Sequence, residues 1–199
     1  MSVPGESSHY IMAPEVRKMQ LDRLNLEEKK PRNAAVMMLF YPVKSSTHFV
    51  LILRPIYKGV HSGQVALPGG KVEKYDEDYT MTALRETEEE VGVEISKVKV
   101  LKPLTKVYIP PSNFWVHPFL GYTEDRPDFV IQEEEVAKVI EVPIQELLDE
   151  NNVASKILST SYAKNIEVPS FDLKGYTVWG ATAMMLSELK TLFKTSLEL

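Results

Sequence analysis

Short apolar runs alternate along the chain with polar, turn-forming stretches, and the lengths of those runs predict a mixture of strands and helices. Ala34 to Tyr41 (AAVMMLFY) and Phe49 to Arg54 (FVLILR) have strand length and are separated by Pro42 and the polar KSST segment. Neither alternates cleanly between apolar and polar positions, so both are expected to be buried on two faces. QVALPGG reads as a third short strand ending at Gly69–Gly70, where the backbone is free to turn sharply. From Asp78 to Val91 the periodicity is helical, with Gly92 placed as the C-cap. Strand-like runs recur around Lys97–Leu101, Phe114–Tyr122 and Val136–Val142, and Pro143 opens a short helix through Leu148. After a polar stretch, Trp179 to Leu197 reads as an amphipathic helix whose apolar side carries Ala181, Met185, Leu189, Leu192 and Phe193. Residues 1–33 are polar and charged, with one helical stretch that Pro14 opens and whose Val16, Met19 and Leu24 share a face. The pattern predicts an N-terminal helical extension over 1–33 and a single layered α/β (α+β) domain over 34–199.

Composition removes several functional classes. The 199 residues suffice for one core without covalent staples. The absence of cysteine excludes disulfides, a thiolate zinc site and a cysteine nucleophile. Acidic residues outnumber basic ones by 28 to 23, for a formal net charge of -5, which argues against nucleic-acid binding through a broad basic face. MSVPGESSHYIM lacks a positive segment followed by an apolar core, so no signal peptide is expected. No apolar run is long enough to span a bilayer. The expectation is a cytoplasmic protein whose partners are a small molecule and, at most, a second copy of itself in a homodimer.

The chemistry concentrates in Leu67 to Val93, LPGGKVEKYDEDYTMTALRETEEEVGV. Glu86, Glu89 and Glu90 stand at i, i+3 and i+4 of the expected helix, so their carboxylates project from one side. Thr80, Leu84, Thr87 and Val91 fall on a different side, which suggests a packing stripe separate from the acids. Charge runs are usually solvated helix faces. A cluster of hard oxygen donors that tolerates mutual repulsion is alternatively a site for Mg²⁺ or Mn²⁺. Arg85 lies four residues before Glu89 and can pair with it.

Gly70, Arg85, Glu86, Glu89, Glu90 and Gly92 together resemble the Nudix box, G-x5-E-x7-R-E-U-x-E-E-x-G-U with U aliphatic. Two departures stand out. Thr87 replaces the aliphatic residue, and one extra residue lies between Gly70 and the helix. Counting forward from Gly70 puts the isolated family acid at Asp76, whereas counting back from Arg85 puts it at Glu77. The resemblance implies a Nudix fold, with a mixed β-sheet sandwiched between helices and a loop–helix–loop catalytic motif. It implies hydrolysis of a diphosphate linkage in a nucleotide-derived substrate with Mg²⁺ or Mn²⁺ as cofactor. By position, Glu86 and Glu90 would hold the metal, Glu89 would share coordination or act as general base, and Arg85 would orient Glu89. A backbone carbonyl at Gly69 or Gly70 would complete the shell. Many family members also carry a catalytic or metal-binding glutamate on a later loop, and Glu135 of QEEEV matches that spacing, the alternative being an exposed acidic loop.

Upstream, LILRPIYKGVHSGQVALPGG is similar to the segment of coenzyme A diphosphatases, matching at Arg54, Gly63, Pro68, Gly69 and Gly70. Gln64, TALRET at 82–87 and WGATAMML at 179–186 extend the likeness. That subfamily converts coenzyme A to 3′,5′-ADP and 4′-phosphopantetheine. Pro55, Gly59 and Leu67 depart from its pattern, and Gly59 stands where a second arginine is expected. The substrate-binding set implied is Arg54, Lys58, Gly63 and Gln64, with Lys58 supplying the charge that Gly59 lacks. ADP-ribose or NADH is the alternative substrate, and a non-catalytic Nudix ligand-binding module is the alternative from another class. Of the four histidines only His61 is placed to touch substrate, and Tyr108, Phe114 and Trp115 either stack on a base or belong to the core.

Overall fold

The computed structural model describes residues 2–15, 17, 26–159 and 165–197. Its central element is β1 (Arg32–Val43), and the alternation of that strand divides the core in two. Ala34, Val36, Met38 and Phe40 face one buried cluster, whereas Ala35, Met37, Leu39 and Tyr41 face another. Both sides are covered, which explains why the run reads as continuously apolar. Along one edge β1 pairs antiparallel with β2 (Ser46–Leu53) and β4 (Gly69–Lys71), and along the other it runs parallel to β7 (Phe114–Tyr122). β3 (Val65–Ala66) and β8 (Lys138–Pro143) join β2, and β5 (Lys99–Pro103) and β6 (Val107–Ile109) join β7, giving eight strands in one mixed sheet.

One face of the sheet carries α3 (Tyr79–Val91), whose Ala83 and Val91 enter the cluster of Met37 and Leu39. The other face carries α5 (Gly180–Leu197), from which Ala183, Met184, Met185, Leu186 and Leu189 enter the cluster of Met38 and Phe40. The mixed sheet therefore lies between helices, as the family resemblance implied. α5 is covered more completely than an amphipathic helix would be. Residues 182–190 are all buried, because a second sheet of β9 (Val153–Leu158), β10 (Ile166–Leu173) and β11 (Tyr176–Trp179) also supplies Phe171, Leu173 and Val178 to that cluster. This sheet occupies the stretch read as merely polar. Alternating burial on β9, with every second residue exposed, accounts for its polar appearance. The remaining helices are α1 (Glu6–Ile11), α2 (Leu26–Lys29) and α4 (Ile144–Leu148).

The segment expected to form one strand through QVALPGG is divided between two partners. Val65 pairs with Leu53 of β2, and Gly69 pairs with Val36 of β1, with Leu67 and Pro68 turning the chain between them. The helix expected around Val16, Met19 and Leu24 lies outside the described residues. Just before it, Met12 and Ala13 are buried in the same cluster as Met38. Among the described residues no helix is long and apolar enough to cross a membrane.

Candidate active site

The N-terminus of α3 is fixed by Asp78, whose carboxylate accepts the Met81 N–H at 2.8 Å. Its end is set by Gly92 in the left-handed region at φ 74°, where a side chain would strike Val130. Between these caps the buried side of the helix carries Thr82, Ala83, Glu86, Thr87, Glu90 and Val91. Two of the acids therefore share the packing side instead of standing apart from it. Thr87 fits where an aliphatic residue is usual because its hydroxyl donates to the Ala83 carbonyl at 2.6 Å.

Burial of Glu86 and Glu90 brings them against the Gly69–Gly70 turn. The Gly69 N–H donates to Glu90 Oε2 at 2.8 Å. Gly69 sits at φ 151°, and a Cβ there would lie 2.4 Å from the Ala35 carbonyl oxygen. A Cβ on Gly70 would lie 2.3 Å from a Glu86 carboxylate oxygen. The two glycines thus bring bare backbone up to two carboxylates. Glu135 completes the group. The loop before β8 runs along the end of α3, with Val130 N–H donating to the Val91 carbonyl and Gln132 N–H to that of Glu90. One carboxylate oxygen each from Glu86, Glu90 and Glu135 lies within 4.8 Å of the others. Burial pushes the Glu90 carboxyl up to about 8, against the Gly69 hydrogen bond and Arg54, and burial also raises Glu86. Carboxyl groups crowded in this way need a cation to keep their charge, and three hard oxygen donors within this reach of one another could hold a divalent ion.

Glu89 lies outside this trio, 55% exposed, and is held by Arg85 at 2.8 Å. Arg85 is itself gripped on several sides. It donates to Asp76 through Nε at 2.9 Å and Nη2 at 3.0 Å, to Glu86 through Nη1 at 2.9 Å, and to the Lys71 carbonyl at 3.1 Å. Asp76 also accepts from Thr82 Oγ1 and from the Glu73 N–H, and these bonds, with Arg85 foremost, hold its carboxyl far below the usual range. Of the two candidates, Asp76 is therefore the acid that ties the loop to the helix. Glu77 is exposed, and the extra residue is absorbed in the turn between Asp76 and the helix cap.

Beside the trio opens a cleft of about 320 Å³, lined among others by Arg54, His61, Gln64, Gly69, Gly70, Phe114, Trp179, Thr182 and Met185. Arg54 Nη1 stands 3.8 Å from Glu90, while its Nε is buried and bonded to nothing among the described residues. Burial holds His61 below its usual range, against the bond it shares with Gln64. Thr182 donates to the Val65 carbonyl at 3.1 Å, which brings the start of α5 to the cleft. Lys58 and Gly63, expected to bind substrate, do not line it. Lys58 is exposed on the 55–63 loop, and Gly63 closes that loop through its N–H to the Pro55 carbonyl. Tyr108 and Trp115 pack against each other, tilted by 54°, beside a separate, smaller hollow, and only Phe114 of the three aromatics reaches the cleft. Arg17 and Lys71 also line it, and the sequence carried no signal for either. A larger hollow of about 690 Å³ lies near Gly92, but the cations that line it are paired, Lys97 with Glu94, Lys99 with Glu124 and Arg126 with Glu141.

A family model for the NUDIX domain matches residues 30–160. The chain belongs to the Nudix family. Among curated Nudix relatives it is 34% identical over 169 residues to "Nudix hydrolase 22, chloroplastic" of Arabidopsis thaliana, covering 81% of this chain and 55% of that protein. It is 32% identical over 185 residues to the "Uncharacterized Nudix hydrolase NudL" of Yersinia enterocolitica, covering 85% and 89%. The chain spans little more than half the length of two Arabidopsis relatives, at 55% and 57%. In fold it is similar to a Nudix hydrolase from M. smegmatis, RenU, with a TM-score of 0.59 at 16% identity over 83% of this chain and 87% of that one.

Proposed function

We propose that this Nudix chain hydrolyses the diphosphate linkage of a nucleoside diphosphate derivative, with coenzyme A or its derivatives as the preferred substrate and 3′,5′-ADP and 4′-phosphopantetheine as products. The observation that carries the reading is the carboxylate trio of Glu86, Glu90 and Glu135, set against bare glycine backbone at the head of a cleft that holds Arg54. Mg²⁺ or Mn²⁺ held there, with a Gly69 or Gly70 carbonyl, would neutralise phosphoryl oxygens and lower the pKa of an attacking water. Arg54 lines the cleft with a partly exposed side chain and offers its planar donor group to a diphosphate oxygen. Arg85 locks the loop, Asp76 and helix α3 into one unit and holds Glu89 at its edge, where Glu89 shares coordination or takes a proton from water. Glu135 closes the site from the opposite loop. For coenzyme A itself the support is the likeness of residues 51–70 and 179–186, which meet at the cleft through Arg54, Gln64, Trp179 and Thr182.

The test is a panel of coenzyme A, ADP-ribose, NADH and dinucleoside polyphosphates with Mg²⁺, with products identified by chromatography and mass. Release of 3′,5′-ADP from coenzyme A, abolished by EDTA, is expected. Tight binding of one member with no turnover of any would favour a non-catalytic binding module.

A further inference from the structure

Two residues that line the cleft, His61 and Gln64, are bonded to each other at the end of the β2–β3 hairpin. The hairpin fixes them. Leu53 pairs with Val65, the Arg54 N–H donates to the Gln64 carbonyl at 3.0 Å, and the Gln64 N–H donates to the His61 carbonyl at 3.3 Å. Their side chains then lock one another in a defined order. The Val60 carbonyl can only accept, so the end of Gln64 that faces it at 3.2 Å is the amide nitrogen. The amide oxygen is thereby turned to His61 Nδ1, also at 3.2 Å, and that bond requires the proton to sit on Nδ1. In a neutral imidazole this leaves Nε2 with a bare lone pair, and Nε2 bonds to nothing among the described residues. Burial and the charge of Arg54 both favour the neutral ring over the imidazolium.

A histidine beside a diphosphate site suggests a phosphate ligand, but this tautomer is the wrong one. Phosphoryl oxygens are acceptors, and a lone pair turned toward them is repelled. What suits Nε2 is an O–H or an N–H. We propose that His61 is a specificity-determining residue whose Nε2 accepts a hydrogen bond from an uncharged donor on the nucleoside of the substrate, a ribose hydroxyl or a base amino group. Gln64 is the positioning residue that holds the tautomer. This rests on the reading of the cleft as a nucleotide site. Arg54 is joined to Gln64 through the backbone and stands 3.8 Å from Glu90, so the His61–Gln64 pair neighbours the place of the diphosphate, where the nucleoside begins. Much of the remaining wall is apolar, through Val36, Leu67, Phe114, Val116 and Met185. A fixed acceptor in such a wall discriminates strongly, because a ligand that lacks the donor leaves it unpaired and out of water.

Three probes test the proposal by calorimetric titration in Mg²⁺: ADP, 2′,3′-dideoxy-ADP, which lacks the ribose hydroxyls, and purine riboside 5′-diphosphate, which lacks the base amino group. One of the two deletions should weaken binding to the wild type about fivefold to tenfold and leave His61→Phe unaffected. The deletion that couples in this way names the donor. His61→Gln, which keeps an acceptor, should restore part of the coupling. Nuclear magnetic resonance of isotope-labelled protein reads the tautomer without turnover, the His61 signals being those missing from His61→Phe. Near neutral pH the Nε2 of the wild type should resonate as an unprotonated nitrogen and shift when ADP binds. In Gln64→Leu, which cannot accept from Nδ1, the two ring nitrogens should move toward a common position. Coupling through His61 in a protein that turns over no member of the substrate panel would keep this proposal and overturn the hydrolase reading. A protonated Nε2 in the wild type, deletions that the wild type ignores, or deletions that weaken wild type and His61→Phe alike would overturn the proposal while leaving the hydrolase reading intact.

Discussion

Glu90 is a carboxylic acid held where water barely reaches, 1% exposed, with its pKa pushed up to about 8 from an ordinary 4.5. A folded-state pKa raised in this way favours the folded protein while the group is protonated. That contribution is complete below about pH 4.5 and is lost as the pH rises through 8. Glu90→Gln removes the loss, so in EDTA its Tm should exceed that of wild type by a margin that widens from pH 6 to pH 9. Thermal melts that show a constant margin would mean that Glu90 does not titrate in this range. With saturating Mg²⁺ the same variant should turn over at least roughly 10²-fold more slowly. Asp76 presents the opposite case, an acid held ionised by Arg85. Asp76→Ala leaves Arg85 Nε, Thr82 Oγ1 and the Glu73 N–H without their shared acceptor, although Glu86 and Glu89 still pair with the guanidinium, and should cost roughly 3 kcal/mol in a urea titration, whereas Glu77→Ala should stay within about 0.5 kcal/mol. Both acids were legible as candidates from spacing alone. Choosing between them needed the reach of a short side chain to Thr82 and Arg85, which a count of residues does not encode. Spacing also placed Glu86, Glu89 and Glu90 together, but which of them turn inward depends on what covers the helix.

At the scale of elements, the loop–helix unit works because two adjacent glycines do different things. Gly69 holds a backbone angle that other residues rarely adopt and packs against the Ala35 carbonyl. Gly70 has an ordinary angle and leaves room for the Glu86 carboxylate. Gly69→Ala should therefore act on stability, losing roughly 1–3 kcal/mol from the backbone angle alone, before the clash is added. Gly70→Ala should act on the site, lowering turnover and Mg²⁺ affinity by tenfold or more while the metal-free Tm falls much less, since the end of a glutamate can move aside. Denaturant titrations beside kinetics on both variants separate the two effects. The helix and its C-cap were readable because the run from Asp78 to Val91 has one dominant period and Gly92 follows it, whereas the N-cap role of Asp78 is seen only in the structure. β9 to β11 were not, because half-exposed strands joined by turns look polar when no partner is known. The amphipathic pattern from Trp179 onward did mark the start of α5, which Thr182 ties to the strand beside Arg54.

Across the whole molecule, the N-terminal segment and α5 are joined through Glu188, which is fully buried. It accepts from Thr105 N–H at 3.0 Å and Oγ1 at 2.5 Å, from Gly5 N–H at 3.1 Å, and it bonds His9. Burial alone would raise its carboxyl, but these bonds outweigh it and hold the group ionised. A chain lacking residues 1–13 would strip Glu188 of two partners and uncover the core at Met12. A loss above roughly 3 kcal/mol is expected, about 6–12 °C in Tm by calorimetry. The sequence hid this because single residues such as His9 and Met12 make no pattern of their own. The same chain shows another hidden dependence in β1, whose Arg32–Phe40 run lies parallel to Phe114–Tyr122. The partners on its other edge, β2 and β4, are close behind it in sequence. During synthesis, by contrast, roughly eighty further residues must be made before β7 exists, about 4–16 s at ribosomal rates. Throughout that interval the most apolar strand of the protein presents one open edge, a template for pairing with any other extended chain. Yield in cells should therefore depend on elongation speed and chaperone supply more than the finished protein's stability would suggest.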